Sequence, residues 1–182
     1  MKLMKLGVMW LVALTTLIGC TGIPAKVEPV QSFNLQLYLG TWYEIARLDH
    51  SFERGLNRVS ATYSLNPDGS VKVINRGWNE ELQEWDEAEG KAKFVDTPDI
   101  GHLKVSFFGP FYGSYVVFYL EPDYSTALVS GYNTDYLWIL SRNSVIAEEK
   151  LEYYIDIAAK AGFDTSKLIF PDQEAKLQNG SQ

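Results

Sequence analysis

Apolar and polar residues alternate with a period of two between Gly40 and Ser141, in eight short runs. This alternation is typical of β-strands that bury one face and expose the other. Segments rich in Gly, Pro, Asn and Asp separate most neighbouring runs and favour hairpin turns, and only the connection over 49–57 is longer. The predicted strands are 41–48, 58–65, 70–77, 85–94, 102–108, 114–121, 126–132 and 136–141.

Eight consecutive strands with short connections predict an all-β fold. The simplest arrangement is an antiparallel, up-and-down meander in which each strand pairs with the next. An open sheet of this kind would expose two unpaired edges, and closing it into a barrel removes both. We therefore expect an eight-stranded antiparallel β-barrel.

A single amphipathic helix is predicted after the last strand. Asn143 or Ser144 could cap its N-terminus, and Gly162 stands where it should end. We expect this helix to pack on the outside of the barrel and to be followed by a short strand at 167–170. Its apolar stripe consists of Ala147, Leu151, Tyr154, Ile155 and Ala158.

The first residues have the features of a signal peptide. Lys2 and Lys5 form a basic start, and the apolar stretch at 6–18 is too short to span a bilayer comfortably. The ending Leu17-Ile18-Gly19-Cys20 resembles the bacterial lipobox, which implies cleavage before Cys20 and lipidation of its thiol. The alternative is a buried or free cysteine. Thr21 at the next position resembles the sorting pattern of the outer membrane, facing the periplasm.

Four segments are therefore expected along the chain. They are a signal peptide at 1–19, a lipidated tether at 20–32, a barrel domain at 33–171 and a polar tail at 172–182. One acyl chain gives only marginal membrane binding, whereas several hold a protein permanently. The acyl chains of Cys20 are thus the expected membrane anchor.

Composition excludes several functional classes. The formal net charge of -7 disfavours a nucleic-acid partner, because the phosphate backbone would be repelled. One cysteine cannot form a disulfide or a thiolate zinc site, and His50 and His102 are too few for a three-histidine metal site. Paired acidic residues such as Glu80 and Glu81 are most simply explained as solvated surface charge. We expect no enzyme activity, no metal and no cofactor.

Two motifs carry a family resemblance. The segment Gly40-Thr41-Trp42-Tyr43-Glu44 opens the first strand, and Asn133-Thr134-Asp135-Tyr136 precedes Leu140-Ser141-Arg142 at the last. In order and spacing they resemble the lipocalin signatures, and the stretches at 104–113 and 136–142 resemble the outer-membrane lipoprotein lipocalins of bacteria. The resemblance covers about 33–170. It implies that Trp42 plugs the narrow end of the barrel, that Arg142 lies over its ring, and that Gly40 lets the backbone cross closely.

The lipocalin register, carried onto each strand, implies which side chains point inward. Several of them are small, including Ala46, Ala61 and Ser130, so we expect an open apolar cavity rather than a solid core. No inward Lys or Arg is expected in mid-barrel. A register slip of one residue would instead turn the whole set outward. The expected ligand-binding residues are Ala46, Ala61, Val73, Asn75, Val105, Phe107, Val117, Ser130, Tyr136 and Trp138.

An apolar lining favours an acyl chain, at roughly 0.8 kcal/mol for each buried methylene. At the rim, His50, Arg54 and Arg58 could hold a carboxylate or phosphate head group, although solvated loop charges explain them equally well. The predicted function is a lipid-binding lipocalin that stores or transports fatty acids or lysophospholipids for envelope maintenance. The alternative is a scaffold lipoprotein that binds a protein partner and has a filled or functionless barrel.

The hairpin at 107–115 is unusually aromatic. Its side chains could fold back over a barrel end, contact the bilayer, or form the subunit interface of a homodimer. The first of these is the expected arrangement. The scaffold alternative would use the same hairpin as its interface.

Overall fold

Eight antiparallel strands form a closed barrel in the structure, a computed structural model that describes residues 21–174. Each strand pairs with the next, and pairing of the first strand with the last closes the barrel. The predicted fold is confirmed. Cys20 and the predicted signal peptide lie outside the described residues. The strands are β1 Gly40–Arg47, β2 Leu56–Leu65, β3 Val71–Asn79, β4 Glu84–Phe94, β5 His102–Ser106, β6 Gly113–Leu120, β7 Thr126–Ser130 and β8 Leu137–Ser141.

Within residues 21–174, two α-helices accompany the barrel. The one-turn helix α1, Leu35–Tyr38, precedes β1 and was not predicted, although Asn34 caps it by accepting a hydrogen bond from the Gln36 amide. The predicted helix is α2, Glu148–Lys160. Its N-cap is Ala147, whose side chain forms no capping hydrogen bond, so the prediction of Asn143 or Ser144 as the cap is wrong. The backbone N–H of Asn143 instead donates a hydrogen bond to Ser141 Oγ in the turn after β8.

The segment after α2 differs from the predicted short strand. A one-turn 3-10 helix, Thr165–Lys167, is followed by a single β-bridge between Ile169 and Arg47. No helix among residues 21–174 is long and apolar enough to cross a membrane.

The barrel wall separates two apolar clusters. Inside, Trp42, Val117 and Val129 belong to a core that fills part of the barrel. Outside, β-strand residues pack under α2 through Tyr154 and Ala158. Burial on both faces explains why β7 reads as a nearly continuous apolar run rather than an alternating one.

The two ends of the barrel differ. Helix α1 lies across the end where β1 begins, and we call this the closed end. The β1–β2, β3–β4, β5–β6 and β7–β8 connections lie at the opposite end, which we call the mouth. The segment before α1 runs along the outer wall, where the Val30 amide donates to the Val117 carbonyl and the Gly101 amide to the Val30 carbonyl.

Candidate functional site

Trp42 and Arg142 close one end of the barrel. The Trp42 side chain is fully buried, and its Nε1 donates to the Tyr38 carbonyl at 2.8 Å. The Arg142 guanidinium lies 3.9 Å from the Trp42 ring centroid and donates to the carbonyls of Leu37 and Leu39. One arginine thus satisfies the carbonyls that a short helix leaves unpaired, while it covers the indole ring.

Gly40 lies where the chain passes closest to this arginine. Its φ of +98° is in the left-handed region, and a Cβ at this position would lie 3.3 Å from Arg142 Nη1. Glycine is therefore favoured here for both backbone conformation and space.

An apolar cavity lies above this closed end and opens toward the mouth. The barrel is therefore not completely filled by its own side chains. Six of the predicted ligand-binding residues line it: Ala61, Val73, Asn75, Val105, Phe107 and Trp138.

The predicted inward orientation of Ala46 and Ser130 is wrong. Ala46 pairs with Ile139 on the outer wall, because β1 has a bulge between Glu44 and Ala46 that reverses the facing of later residues. On β7, Val129 belongs to the inner core and Leu128 to the outer cluster, so Ser130 shares the outer face with Leu128. Because both faces of β7 are buried, its sequence does not distinguish inward from outward residues.

Val117 and Tyr136 point toward the interior or the mouth without lining the cavity. Val117 is fully buried in the inner core. Tyr136 stands at the mouth, where its ring centroid lies 5.5 Å from that of Tyr132 and 6.2 Å from that of Trp138.

Three tyrosines form the deep end of the cavity. The Tyr115 hydroxyl lies 2.7 Å from the Tyr38 hydroxyl and 2.8 Å from the Tyr63 hydroxyl. Burial raises the pKa of all three phenols, so they stay protonated. Two hydrogen bonds use two of the three hydroxyl protons, which leaves one donor for another acceptor.

A buried group of charged side chains lies between the cavity and the mouth. Arg47 is 1% exposed and Glu44 2% exposed, and Arg47 Nη1 donates to Glu44 Oε1 across 2.5 Å. Arg47 Nη2 also donates to the Glu53 carbonyl at 2.8 Å. The Glu53 carboxylate accepts a 3.0 Å hydrogen bond from Trp138 Nε1 and lies 3.0 Å from His50 Nε2. Glu44 and Glu53 both line the cavity.

This group was missed in the sequence, where no inward Lys or Arg was expected in mid-barrel. Arg47 pairs with Trp138, an inward residue, because the β1 bulge turns it inward. No sequence signal marks that bulge. The inward orientation of Glu44 could have been predicted, since it follows Trp42 by two positions on the same strand and therefore faces the same side.

Burial and charge act differently on the two carboxyls. Burial, with the nearby charge of Glu53, raises the pKa of Glu44 to about 8. Burial also acts to raise the pKa of Glu53, but the adjacent His50 ring, the hydrogen bond from Trp138 Nε1 and the charge of Arg47 hold it below its usual value. At neutral pH Glu53 is therefore ionised and Glu44 largely protonated.

The three residues predicted to bind a head group, His50, Arg54 and Arg58, do not lie together at the rim. Arg54 is exposed and pairs with Asp49 at 2.6 Å. The Arg58 guanidinium lies on the outer wall, 4.7 Å from the Trp78 ring centroid and 5.1 Å from that of Trp85. His50 is buried beside Glu53. The ionised side chain that lines the cavity at this end is thus Glu53, and Arg47 lies beside it without lining the cavity.

The aromatic hairpin is also divided. Phe107 lines the cavity, whereas Phe108 and Phe111 are 82% and 73% exposed. The expectation that the hairpin folds back over its own barrel therefore fails for Phe108 and Phe111.

A second polar group lies on the outer wall. His102 Nε2 is 3.1 Å from Ser114 Oγ, and His102 Nδ1 is 3.8 Å from Asp96 Oδ2. The order of carboxylate, imidazole and hydroxyl matches that of a catalytic triad. However, His102 and Ser114 are both buried, and burial lowers the pKa of His102, so the group is explained as a satisfied internal hydrogen-bond network.

Within residues 21–174, no group of three or more His, Cys, Asp or Glu side chains is arranged to hold a metal ion.

Comparisons with known proteins agree with this architecture. The Lipocalin-like domain family matches residues 33–173. The chain is 56% identical to the outer membrane lipoprotein Blc of Vibrio cholerae, covering 86% of this chain and 92% of the relative. It is 52% identical to the outer membrane lipoprotein Blc of Escherichia coli K12, covering 82% and 85%.

A solved structure shows the same fold at lower identity. Insecticyanin from the tobacco hornworm Manduca sexta superposes with a TM-score of 0.63 at 24% identity, over 83% of this chain and 86% of that one. The barrel, its closed end and the extent of the family match lead to one conclusion. The chain is a member of the lipocalin family.

Proposed function

We propose that the barrel holds the acyl chain of a single-chain lipid, a fatty acid or a lysophospholipid, and stores or carries it for maintenance of the cell envelope. The open apolar cavity is the observation that supports this most strongly. Each methylene buried there contributes about 0.8 kcal/mol. As a lipocalin, the protein is a binding protein rather than an enzyme.

The proposed site of action is the outer membrane, facing the periplasm. Two relatives with more than half of their residues identical are named outer membrane lipoproteins. The lipobox-like sequence that ends at Cys20 supports the same location and supplies the anchor.

The charge near the mouth favours one class of head group. A fatty acid bound with its chain inward would place its carboxylate close to the ionised Glu53. Like charges at short range in a partly buried site repel strongly. A lysophospholipid with a zwitterionic head group adds no net charge there, so we expect it to bind more tightly than a fatty acid of the same chain length.

Filling the cavity from one wall tests the proposal. Ala61→Trp adds an indole where the structure has space, without removing a polar contact. We expect the variant to melt near the wild-type temperature and to lose binding of a fluorescent fatty acid. Displacement of that probe from the wild type should require less lysophosphatidylethanolamine than palmitate.

Ser64→Trp is the matched control, because Ser64 is exposed on the same strand and faces away from the barrel interior. It should bind the probe as the wild type does. If Ala61→Trp also bound normally, or simply unfolded, the lipid site would not be where we place it. The scaffold alternative would then be preferred.

A further inference from the structure

Three phenol hydroxyls meet at the deep end of the apolar cavity. Tyr38 comes from α1, Tyr63 from β2 and Tyr115 from β6, and all three line the cavity. The Tyr38 ring lies 4.7 Å, between centroids, from the ring of Trp42, which plugs the closed end. A chain that enters from the mouth and fills the cavity therefore ends against these hydroxyls.

The three hydroxyls cannot use all of their protons on one another. Each hydroxyl carries one proton and two acceptor lone pairs. The Tyr115 hydroxyl contacts those of Tyr38 and Tyr63, and these two hydrogen bonds use two of the three protons, whichever oxygen donates. Within residues 21–174, the three hydroxyls make no other hydrogen bond. One donor therefore remains without a partner in every arrangement.

The electrostatics of this end favour an oxygen atom as the partner of that donor. Burial raises the pKa of all three phenols, and it outweighs the positive charge of Arg142, which acts to lower the pKa of Tyr38 and Tyr63. The hydroxyls therefore keep their protons in a region of positive potential. A methyl group placed against them would leave the remaining donor buried and unpaired, which costs binding free energy.

A neutral oxygen fits this end better than an ionised carboxylate. A buried carboxylate needs a cation and several donors to offset its lost hydration. The deep end has one free donor, and the guanidinium of Arg142 already donates to the carbonyls of Leu37 and Leu39. A hydroxyl or keto oxygen accepts that one hydrogen bond without bringing a charge into the cavity.

We propose that Tyr38, Tyr63 and Tyr115 form a subsite for a neutral oxygen at the far end of the ligand chain. The barrel then prefers a single-chain lipid with a hydroxyl or keto group at that end to an unsubstituted chain of the same length. This inference rests on the proposed lipid site and adds the polarity of the chain terminus to it. A cavity without the subsite would have the opposite preference, because a hydroxyl buried without a partner loses its hydration.

Matched pairs of ligands test the subsite. Dodecanoate is compared with ω-hydroxydodecanoate, and palmitate with ω-hydroxypalmitate, by displacement of a fluorescent fatty acid. Both members of a pair carry the same carboxylate, so any repulsion from Glu53 cancels in the ratio of their affinities. We expect the wild type to bind at least one ω-hydroxy acid as tightly as its parent, or more tightly.

Removing the hydroxyls while keeping the rings tests the role of the tyrosines. Tyr38→Phe, Tyr63→Phe and Tyr115→Phe, made together, should change stability little, because both partners of each hydrogen bond are removed. The affinity for that ω-hydroxy acid, relative to its parent, should fall about tenfold. Tyr43→Phe is the matched control, because Tyr43 follows the inward Trp42 and faces the outer side of β1. It should keep the wild-type ratio.

Failure of the subsite can be distinguished from failure of the lipid site. If neither parent acid displaced the probe from the wild type, the lipid site would be wrong and the subsite with it. If the parents bound but the wild type bound both ω-hydroxy acids more weakly, the lipid site would stand and the subsite would be overturned, whether or not the triple variant folds. A folded triple variant with the wild-type ratio would also overturn it. So would a triple variant that lost affinity for palmitate itself, since the carboxylate would then enter first.

Discussion

Arg47 donates a hydrogen bond to Glu44 across 2.5 Å, at a position where both side chains are almost completely excluded from solvent. Arg47 also holds the β1–β2 connection through the Glu53 carbonyl. The pair thus joins the wall of the cavity to the loop that borders its mouth. Breaking a buried contact of this kind is costly, because it leaves a charged or polar group buried without its partner.

Arg47→Met should destabilise the protein by about 3–5 kcal/mol, because it leaves the ionised, buried carboxylate of Glu53 without the nearby cation. The loss in free energy of unfolding is measured by chemical denaturation, with circular dichroism as the signal. Adding Glu53→Gln to Arg47→Met should recover part of the loss, since the buried charge left without its cation is then removed. A single variant as stable as the wild type would show that the pair is not buried as described.

Glu44→Gln alone should change how stability depends on pH. The pKa of Glu44 is about 8 in the folded protein and 4.5 in the reference state, so the folded state holds this proton more tightly than the unfolded state. The contribution is complete below pH 4.5 and is lost as pH rises through about 8.

The wild type should therefore lose more stability than Glu44→Gln between pH 6 and pH 9, as measured by melting temperature. Glu53 does not disturb this comparison, since its lowered pKa affects stability only at acidic pH. Parallel melting curves for the two proteins over this range would contradict the assigned protonation of Glu44.

The fold could be predicted because apolar and polar residues alternate in the sequence of every strand that has a polar face. It also placed Ala61, Val73 and Val105 correctly, on stretches where strand pairing is regular. It failed for Ala46, which lies beyond the bulge in β1, and for Ser130, on a strand that is buried on both faces and shows no alternation. A bulge adds one residue to one strand, and alternation read along a single strand carries no sign of it.

The prediction of head-group residues at the rim failed for a different reason. The sequence shows that Arg54 and Arg58 are close to a loop, but not that Asp49 pairs with one and that Trp78 covers the other. The contact of Arg58 with Trp78 joins two strands and depends on their pairing, whereas that of Asp49 with Arg54 depends on the conformation of one loop.

Trp42→Ala should cost about 3–5 kcal/mol, because it opens a cavity at the closed end and removes the ring that Arg142 covers. Thermal or urea unfolding measures the loss. Trp85→Ala is the matched control, as Trp85 is partly exposed on the outer wall, and it should cost much less. Equal losses would show that the closed end is not a principal source of stability.

Cys20→Ser should release the protein from the outer membrane while the barrel stays folded, because the anchor lies before the described domain. Cell fractionation with a circular dichroism spectrum of the released protein checks both points. Retention of the folded variant in the outer-membrane fraction would mean that the domain is held by another contact.

The most direct test of a lipid-carrying barrel is the native mass spectrum of the protein extracted from the cell envelope. We predict an added mass equal to one single-chain lipid on the wild-type barrel, lost on Ala61→Trp and retained on Ser64→Trp. A wild-type spectrum that shows only the empty protein, or the same adduct on Ala61→Trp, would contradict the proposal that this cavity holds an acyl chain.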